Sequence, residues 1–250
     1  MSGHSKWASI KHKKAAVDSK RGALFTKLAR TITVAAREGG PDPTGNATLA
    51  HAIQKAKDFR MPKDNIERAI AKGAGTDKDS AALEEVTYEG YGPGGVALLI
   101  NCLTDNRNRT GSDVRNLLGK SGGNLGEPGS VSWIFEKKGT IVVDAGAYGE
   151  DDLFVAIDAG AEDITNDDDV FEVITEPARF VAVRAALEAA GVEFQSAGIV
   201  QHPKNRVELD DKEAARLFRL IDALEEHDDV NEVDANFDVS DQALAALAAE

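Results

Sequence analysis

A single cysteine, Cys102, among 250 residues leaves no partner for an internal disulfide, and a lone thiol fits a reducing compartment. No apolar run approaches the ~18 residues of a membrane span, and the N-terminal stretch carries no apolar signal core. A soluble, cytoplasmic chain with no membrane contact is therefore expected. Proline is scarce, with 7 residues, aromatics make up only 6% of the chain, and no low-complexity run occurs. The histidines (His4, His12, His51, His202 and His227) are scattered and form no H-x-x-x-H pair, so no zinc site is expected. No Gly-Lys-Ser/Thr follows a glycine loop. The run Gly90-Tyr91-Gly92-Pro93-Gly94-Gly95 formally fits G-x-G-x-x-G, but a strand rather than a helix follows it and Pro93 removes a backbone donor. It reads as a hairpin turn. Cys102 has no basic neighbour to activate it, and no serine sits in a nucleophile elbow. Asp167-Asp168-Asp169 lacks the alternation and glycine of a calcium loop. Glu225, Glu226, Asp228 and Asp229, around His227 where a helix ends, read as surface charges. Neither catalysis, cofactor nor metal is expected.

What the chain does have is a globular composition, 42% apolar and 29% charged, and a marked division of charge. The net charge of −14 would by itself argue against nucleic acid. Residues 1–75, however, hold 15 Lys and Arg against 6 Asp and Glu, a balance of +9, while residues 76–250 carry −23. A basic head on an acidic body marks a nucleic-acid-binding module. Screening at cellular salt acts over ~8 Å, less than a domain's width, so the body need not cancel the head.

The apolar periodicity divides the chain further. Residues 1–16 have no stable period and read as an arm or short helical lead-in. From Asp18 the stripe Leu24, Phe25, Leu28, Ile32, Ala35 predicts a helix that stops at Gly39-Gly40-Pro41. Further helices are predicted over 45–60 and 63–72, making a three-helix bundle. From residue 84 the period changes. The continuous run VALLINCL (96–103) predicts a buried strand, followed by a helix over 109–121 and a strand VSWIF over 131–135. Residues 139–201 then run β-α-β-β-α-β, the order of the ferredoxin-like split motif. A helix over 211–226 and a strand over 230–237 remain. The pieces before and after the insert add up to a second sheet with two helices. The expected class is α+β: an N-terminal three-helix bundle (1–78), a discontinuous α/β domain (79–136 plus 204–250), and an inserted ferredoxin-like domain (137–203), both α/β units being ferredoxin-like.

Two segments carry binding chemistry. In the first thirty residues Lys6, Lys11, Lys13, Lys14, Lys20, Arg21, Lys27 and Arg30 face the single Asp18, with Trp7 and His12 interleaved as flat faces for an unstacked base. The second is TDNRNRT, 104–110, ahead of a helix that Thr110 or Ser112 would cap. There Arg107 and Arg109, two apart, would share a face on an extended strand or converge on one anion in a turn. The alternative is a structural loop in which Asp105 pairs with its own arginines.

The segments MSGHSKWASIKHKKAAVDSKRGALFTKLAR, YEGYGPGGVALLINCLTDNRNRT, SGGNLGEPGSVSWIFEKKG and DDVNEVDANFD closely resemble the YebC/PmpR family, which includes the mitochondrial translational activator of cytochrome c oxidase. The resemblance runs nearly end to end, and between about 145 and 200 it is one of pattern rather than motif. It implies three domains, two of them α/β with one inserted in the other, and no catalytic activity. Many bacterial members are described as DNA-binding transcriptional regulators. Others act on translation, binding the large ribosomal subunit and relieving stalls at consecutive prolines. The resemblance implies nucleic-acid contacts at Lys6, Trp7, Lys11, His12, Lys13, Lys14, Lys20 and Arg21, and matches the family's loop at Arg107 and Arg109. Charge cannot separate DNA from RNA. No helix-turn-helix is evident, and an acidic body would repel the duplex flanking a site. The expectation is a monomeric, ribosome-associated translation factor on large-subunit rRNA, with tRNA as a further contact; the alternative is a transcriptional regulator on promoter DNA.

Overall fold

The structure is a computed structural model that describes residues 18–75, 83–167, 169–240 and 242–244, with backbone alone for 18–20. Three helices come first: α1 (Asp18–Gly39), α2 (Ala47–Asp58) and α3 (Lys63–Ala74). The predicted stripe is the buried one, Leu28, Ile32 and Ala35 packing on Leu49, Ala52, Ala56, Ile66 and Ala69. Asn46 sets the α1–α2 corner. Its side-chain oxygen accepts from Leu49 N at 3.0 Å as an N-cap, and its amide donates to the carbonyls of Ala35 at 2.8 Å and Gly40 at 2.9 Å. One side chain thus starts α2 and satisfies an open carbonyl at the end of α1.

The first sheet has the order β3-β1-β2-β9, all neighbours antiparallel, built from β1 (Glu84–Tyr91), β2 (Ala97–Thr104), β3 (Asn124–Leu125) and β9 (Val230–Ala235). The glycine-proline run is the β1–β2 turn, as its chemistry implied, with Gly94 at φ 70 and Gly95 at φ 77. Helices α4 (Arg107–Lys120) and α7 (Asp211–Glu226) cover one face, on Leu98, Ile100 and Cys102. Ala97 and Leu99 face the other way, onto Val131, Ile134 and Phe135. Burial on both faces is why β2 is continuously apolar. The sheet has the strand order and directions of a ferredoxin-like sheet, with one inner strand, β1, supplied from the front of the chain.

Between the halves lies the second sheet, order β5-β6-β4-β7, from β4 (Phe135–Asp144), β5 (Ala161–Asp167), β6 (Val170–Thr175) and β7 (Phe194–Pro203). Helices α5 (Phe154–Asp158) and α6 (Phe180–Ala189) pack on Ile141, Val143, Phe171 and Val173. This is the split βαββαβ arrangement the sequence predicted. A short parallel pair, β8 (Val207–Glu208) with β10 (Phe237–Asp238), closes the chain's return.

Two expectations are corrected. VSWIF is not a strand: residues 132–134 form a tight turn, and Trp133 is 63% exposed. The Glu89 carboxylate accepts from the amides of Gly129 at 2.7 Å, Val131 at 2.7 Å and Ser132 at 2.9 Å, which curls the segment away from ladder geometry. The predicted 230–237 strand is two strands in different sheets, parted at Asn236, whose side chain accepts from Ala97 N at 2.7 Å.

Gly139 in β4 sits where a Cβ would come within 2.6 Å of Thr175 Oγ1 and 2.7 Å of Phe180. Gly139→Ala should therefore lower stability by about 1–3 kcal/mol, the range for overpacking, measured by urea unfolding. A neutral result would mean that α6 is not seated tightly on this sheet.

Candidate nucleic-acid interface

The arginine-rich segment 104–110 and helix α1 meet at one buried carboxylate. Asp229 lies in the turn between α7 and β9 and is 5% exposed. Its Oδ2 accepts from Arg109 Nη2 at 2.7 Å, with Thr110 Oγ1 at 2.8 Å and Thr104 Oγ1 at 3.2 Å. Oδ1 lies 3.3 Å from Arg30 Nη2. Burial alone would raise this carboxyl's pKa. The hydrogen bonds from Arg109, Thr110 and Arg30 outweigh it and hold the value at about 2. The backbone joins in, Leu103 N donating to Asp229 O at 2.7 Å and Asp229 N to His227 Nδ1 at 3.1 Å. Because that ring nitrogen accepts, the network assigns the ring proton to Nε2, 3.3 Å from Asp113.

Around Asp229, α1 docks on the negative end of α7. Lys27 Nζ donates to the carbonyls of Glu225 and, at 2.7 Å, Val230. Arg30 donates to the carbonyls of Asp228 at 2.8 Å and Leu103 at 3.0 Å. Cations at a helix C-terminus are favourable, and here they also fill carbonyls the helix leaves open. Burial draws the Lys27 ammonium's pKa down against the opposing pull of Glu225 and Asp228. Two further contacts anchor the bundle: Lys55 to Glu232 at 3.1 Å, and Arg184 of α6 to both carboxylate oxygens of Asp58 at 2.8 and 2.9 Å.

The sequence-predicted residues divide accordingly. Lys6, Trp7, Lys11, His12, Lys13 and Lys14 lie outside the described residues, and of Lys20 only the backbone, in α1, is described. Arg21 follows directly, its guanidinium 6.0 Å from the Phe25 ring centre. Lys27 and Arg30 are in the domain junction. The helix expected near residue 110 begins at Arg107, because Asn106 is its N-cap and accepts from Arg109 N at 3.1 Å. Thr110 instead faces Asp229, and Ser112 bonds back to Asn108 O at 2.8 Å. On a helix, residues two apart point about 200° apart, so Arg107 and Arg109 do not converge. Arg109 bridges Asp105 at 2.8 Å and Asp229 at 2.7 Å; Arg107 stays 62% exposed, with its Nε 3.8 Å from Glu84. Asp229, expected at the surface, is the buried centre. Its segment DDV reads locally as solvated charge, and nothing near it in the sequence signals the arginines that meet it.

Burial, with Asp229 nearby, pushes the Cys102 thiol's pKa up to about 12, as befits a core residue. Among the described residues no group of three or more His, Cys, Asp or Glu is placed to hold a metal, and no helix is long and apolar enough to cross a membrane.

Residues 5–76 match the family model of the TACO1/YebC protein N-terminal domain, and residues 83–237 that of the TACO1/YebC second and third domain. The chain is 56% identical over 249 residues to a probable transcriptional regulatory protein of Rubrobacter xylanophilus, covering 99% of this chain and 100% of that one. It is 52% identical over 254 residues to one from Halothermothrix orenii, covering 100% of both. A crystal structure of a conserved hypothetical protein from Aquifex aeolicus superposes with a TM-score of 0.78 at 47% identity, covering 90% of this chain and 93% of that one.

The junction makes two predictions. The Asp229 pKa is depressed from 3.8 to about 2, so its stabilisation is present above pH ~4 and lost as pH falls from there towards 2. Discounted for solvent screening, this amounts to about 1–2 kcal/mol. Asp229→Asn should lose that much at neutral pH and show a shallower acid limb in urea melts between pH 2 and 7; parallel limbs would contradict the assignment. Secondly, Arg109→Ala should lower the melting temperature, whereas Arg107→Ala should leave it unchanged, as calorimetry on both variants would reveal.

Proposed function

The chain belongs to the TACO1/YebC family, and from that premise we propose that it is a non-enzymatic nucleic-acid-binding regulator of gene expression, acting as a translation factor on large-subunit ribosomal RNA. The observation that carries this is the partition of charge: +9 over residues 1–75 against −23 over the remainder. Within the basic head, Lys27, Arg30 and Lys55 are engaged by the body. The cations ahead of them, Lys6, Lys11, Lys13, Lys14 and Lys20, together with Trp7 and His12, form the proposed contact, with the exposed Arg107 as a candidate on the body. Lysines attract phosphate without reading sequence, and interleaved aromatics suit splayed bases, a combination matched to ribosomal RNA.

RNA is preferred over duplex DNA because a body at −23 would repel duplex running on either side of a site, while a folded RNA offers a local pocket. On the ribosome the factor would relieve stalls at consecutive prolines, in the cytoplasm, without a cofactor. The second reading, regulation at promoter DNA, is favoured by the name that relatives bear, probable transcriptional regulatory protein. Crosslinking the protein in cells and sequencing the attached nucleic acid separates the two. Large-subunit rRNA is expected; discrete promoter DNA would replace the first reading by the second.

Replacing Lys11, Lys13 and Lys14 together by Ala should change stability by less than ~0.5 kcal/mol, as for exposed charges away from packed features. The slope of log K against log salt for ribosome binding should fall in magnitude by about 2, at ~0.7 for each lost single-strand phosphate contact. An unaltered slope would take the arm out of the interface.

A further inference from the structure

The acidic body keeps one basic recess. Residues 76–250 hold 14 Lys and Arg against 37 Asp and Glu. A recess of about 460 Å³ between α4 and α7 is lined, among the described residues, by Lys120, Ser121, Gly122, Arg216 and Arg219, none of them a carboxylate. Among the described residues, none of its three cations forms an ion pair.

Their convergence is built by the fold. Arg216 and Arg219 are three apart on α7 and share a face. The opposite face, Leu217, Phe218, Leu220, Ile221 and Leu224, is buried in the core, which aims the two arginines outward. Arg219 Nε donates to Ala215 O at 3.0 Å, tethering the guanidinium and leaving its two terminal amino groups for an external acceptor. Lys120 comes from the end of α4. That end would repel an anion, but its carbonyls are occupied: Leu118 O accepts from Ser121 N at 3.1 Å and Gly123 N at 2.9 Å, and Gly119 O from Gly122 N at 3.2 Å. Gly122, at φ 84, has nothing within 4 Å of where a Cβ would be, so a ligand can approach its backbone.

Three like charges gathered at one recess, with no ion pair among the described residues, repel one another, and an external anion relieves that cost. Two planar guanidinium forks beside an ammonium and a hydroxyl suit the tetrahedral oxygens of a phosphate. We infer that the Lys120–Arg216–Arg219 recess is a phosphate-binding site that gives the body its own hold on a nucleic-acid backbone. This rests on the proposed function for its occupant, though not for its anion chemistry. Helix α4 runs from Arg107 to Lys120, about 20 Å at 1.5 Å per residue, so the recess is a contact separate from the junction with the basic head.

The test uses full-length protein in three forms: wild type, the arm variant Lys11→Ala/Lys13→Ala/Lys14→Ala, and Arg216→Gln/Arg219→Gln, with Lys120→Gln as a milder second variant should the last fold poorly. Inorganic pyrophosphate, at ionic strength matched with chloride, is expected to raise the melting temperature of the wild type and the arm variant but not of the arginine variant. Ribosome binding by the arginine variant should then lose about 1.4 from the magnitude of its salt slope, for two phosphate contacts. A pyrophosphate shift equal in all three forms, or absent from the wild type, overturns the site. A shift lost in the arginine variant while its salt slope matches the wild type overturns the nucleic-acid occupant in favour of a free phosphate compound. If the wild type fails to bind ribosomes while the shift still depends on the arginines, the ribosomal reading falls and the anion site stands.

Discussion

One buried carboxylate gathers the segments at which the head of this protein meets its body. Moving a carboxylate out of water costs several kcal/mol unless donors replace its hydration, and Asp229 recovers them from Arg30, Arg109 and the hydroxyls of Thr104 and Thr110. Those donors come from α1, from the end of β2, and from the first turn of α4. Each removed donor leaves the buried carboxylate short of a partner that replaces water, so the three segments and the α7–β9 turn hold one arrangement together. That demand reaches the basic head through Arg30, and the contacts of Lys27, Lys55 and Asp58 seat it further. The same demand sets the fate of the arginine-rich segment, whose Arg109 serves the junction before any ligand.

The parts of this design that were legible in sequence are those that local periodicity encodes. The Leu28–Ile32–Ala35 stripe, the two-sided apolar run of β2, and the βαββαβ succession from β4 to β7 each follow from the spacing of neighbours in the chain. The centre of the junction was not legible, because its contacts join residues far apart in the chain, Asp229 to Arg109 and to Arg30. No window of sequence distinguishes an acidic turn in water from one whose carboxylate is met by arginines elsewhere. VSWIF failed for a related reason. Its alternation suits a strand, but Glu89, a residue on β1, takes the amides that a ladder would need.

The charge partition also has a second meaning that composition alone does not reveal. A head at +9 and a body at −23 lie in direct contact, with pairs at 2.7–3.3 Å, well inside any screening length. Part of the asymmetry is thus internal: Lys27, Arg30 and Lys55 attach the bundle, and Asp58 in turn attaches it to α6 through Arg184. What the sequence shows as one basic field includes cations consumed in assembly, Lys27, Arg30 and Lys55, and others further towards the N-terminus. The proposed contact with nucleic acid depends on the latter, and the former fix the place from which it acts.

That distinction bears on why the body is acidic at all. If acid served only to hold the head, a few carboxylates at the junction would suffice, and 37 over residues 76–250 far exceed that need. A broad negative surface disfavours indiscriminate binding along a polyanion, because each phosphate brought near it is repelled. In the proposed function, affinity comes instead from the basic N-terminal segment and from the proposed site between α4 and α7. A nucleic acid that meets both must present phosphates to separated points at once, and a folded RNA does so more readily than a uniform duplex. On this reading the negative charge sets specificity, since it leaves a partner no route to binding except through those points.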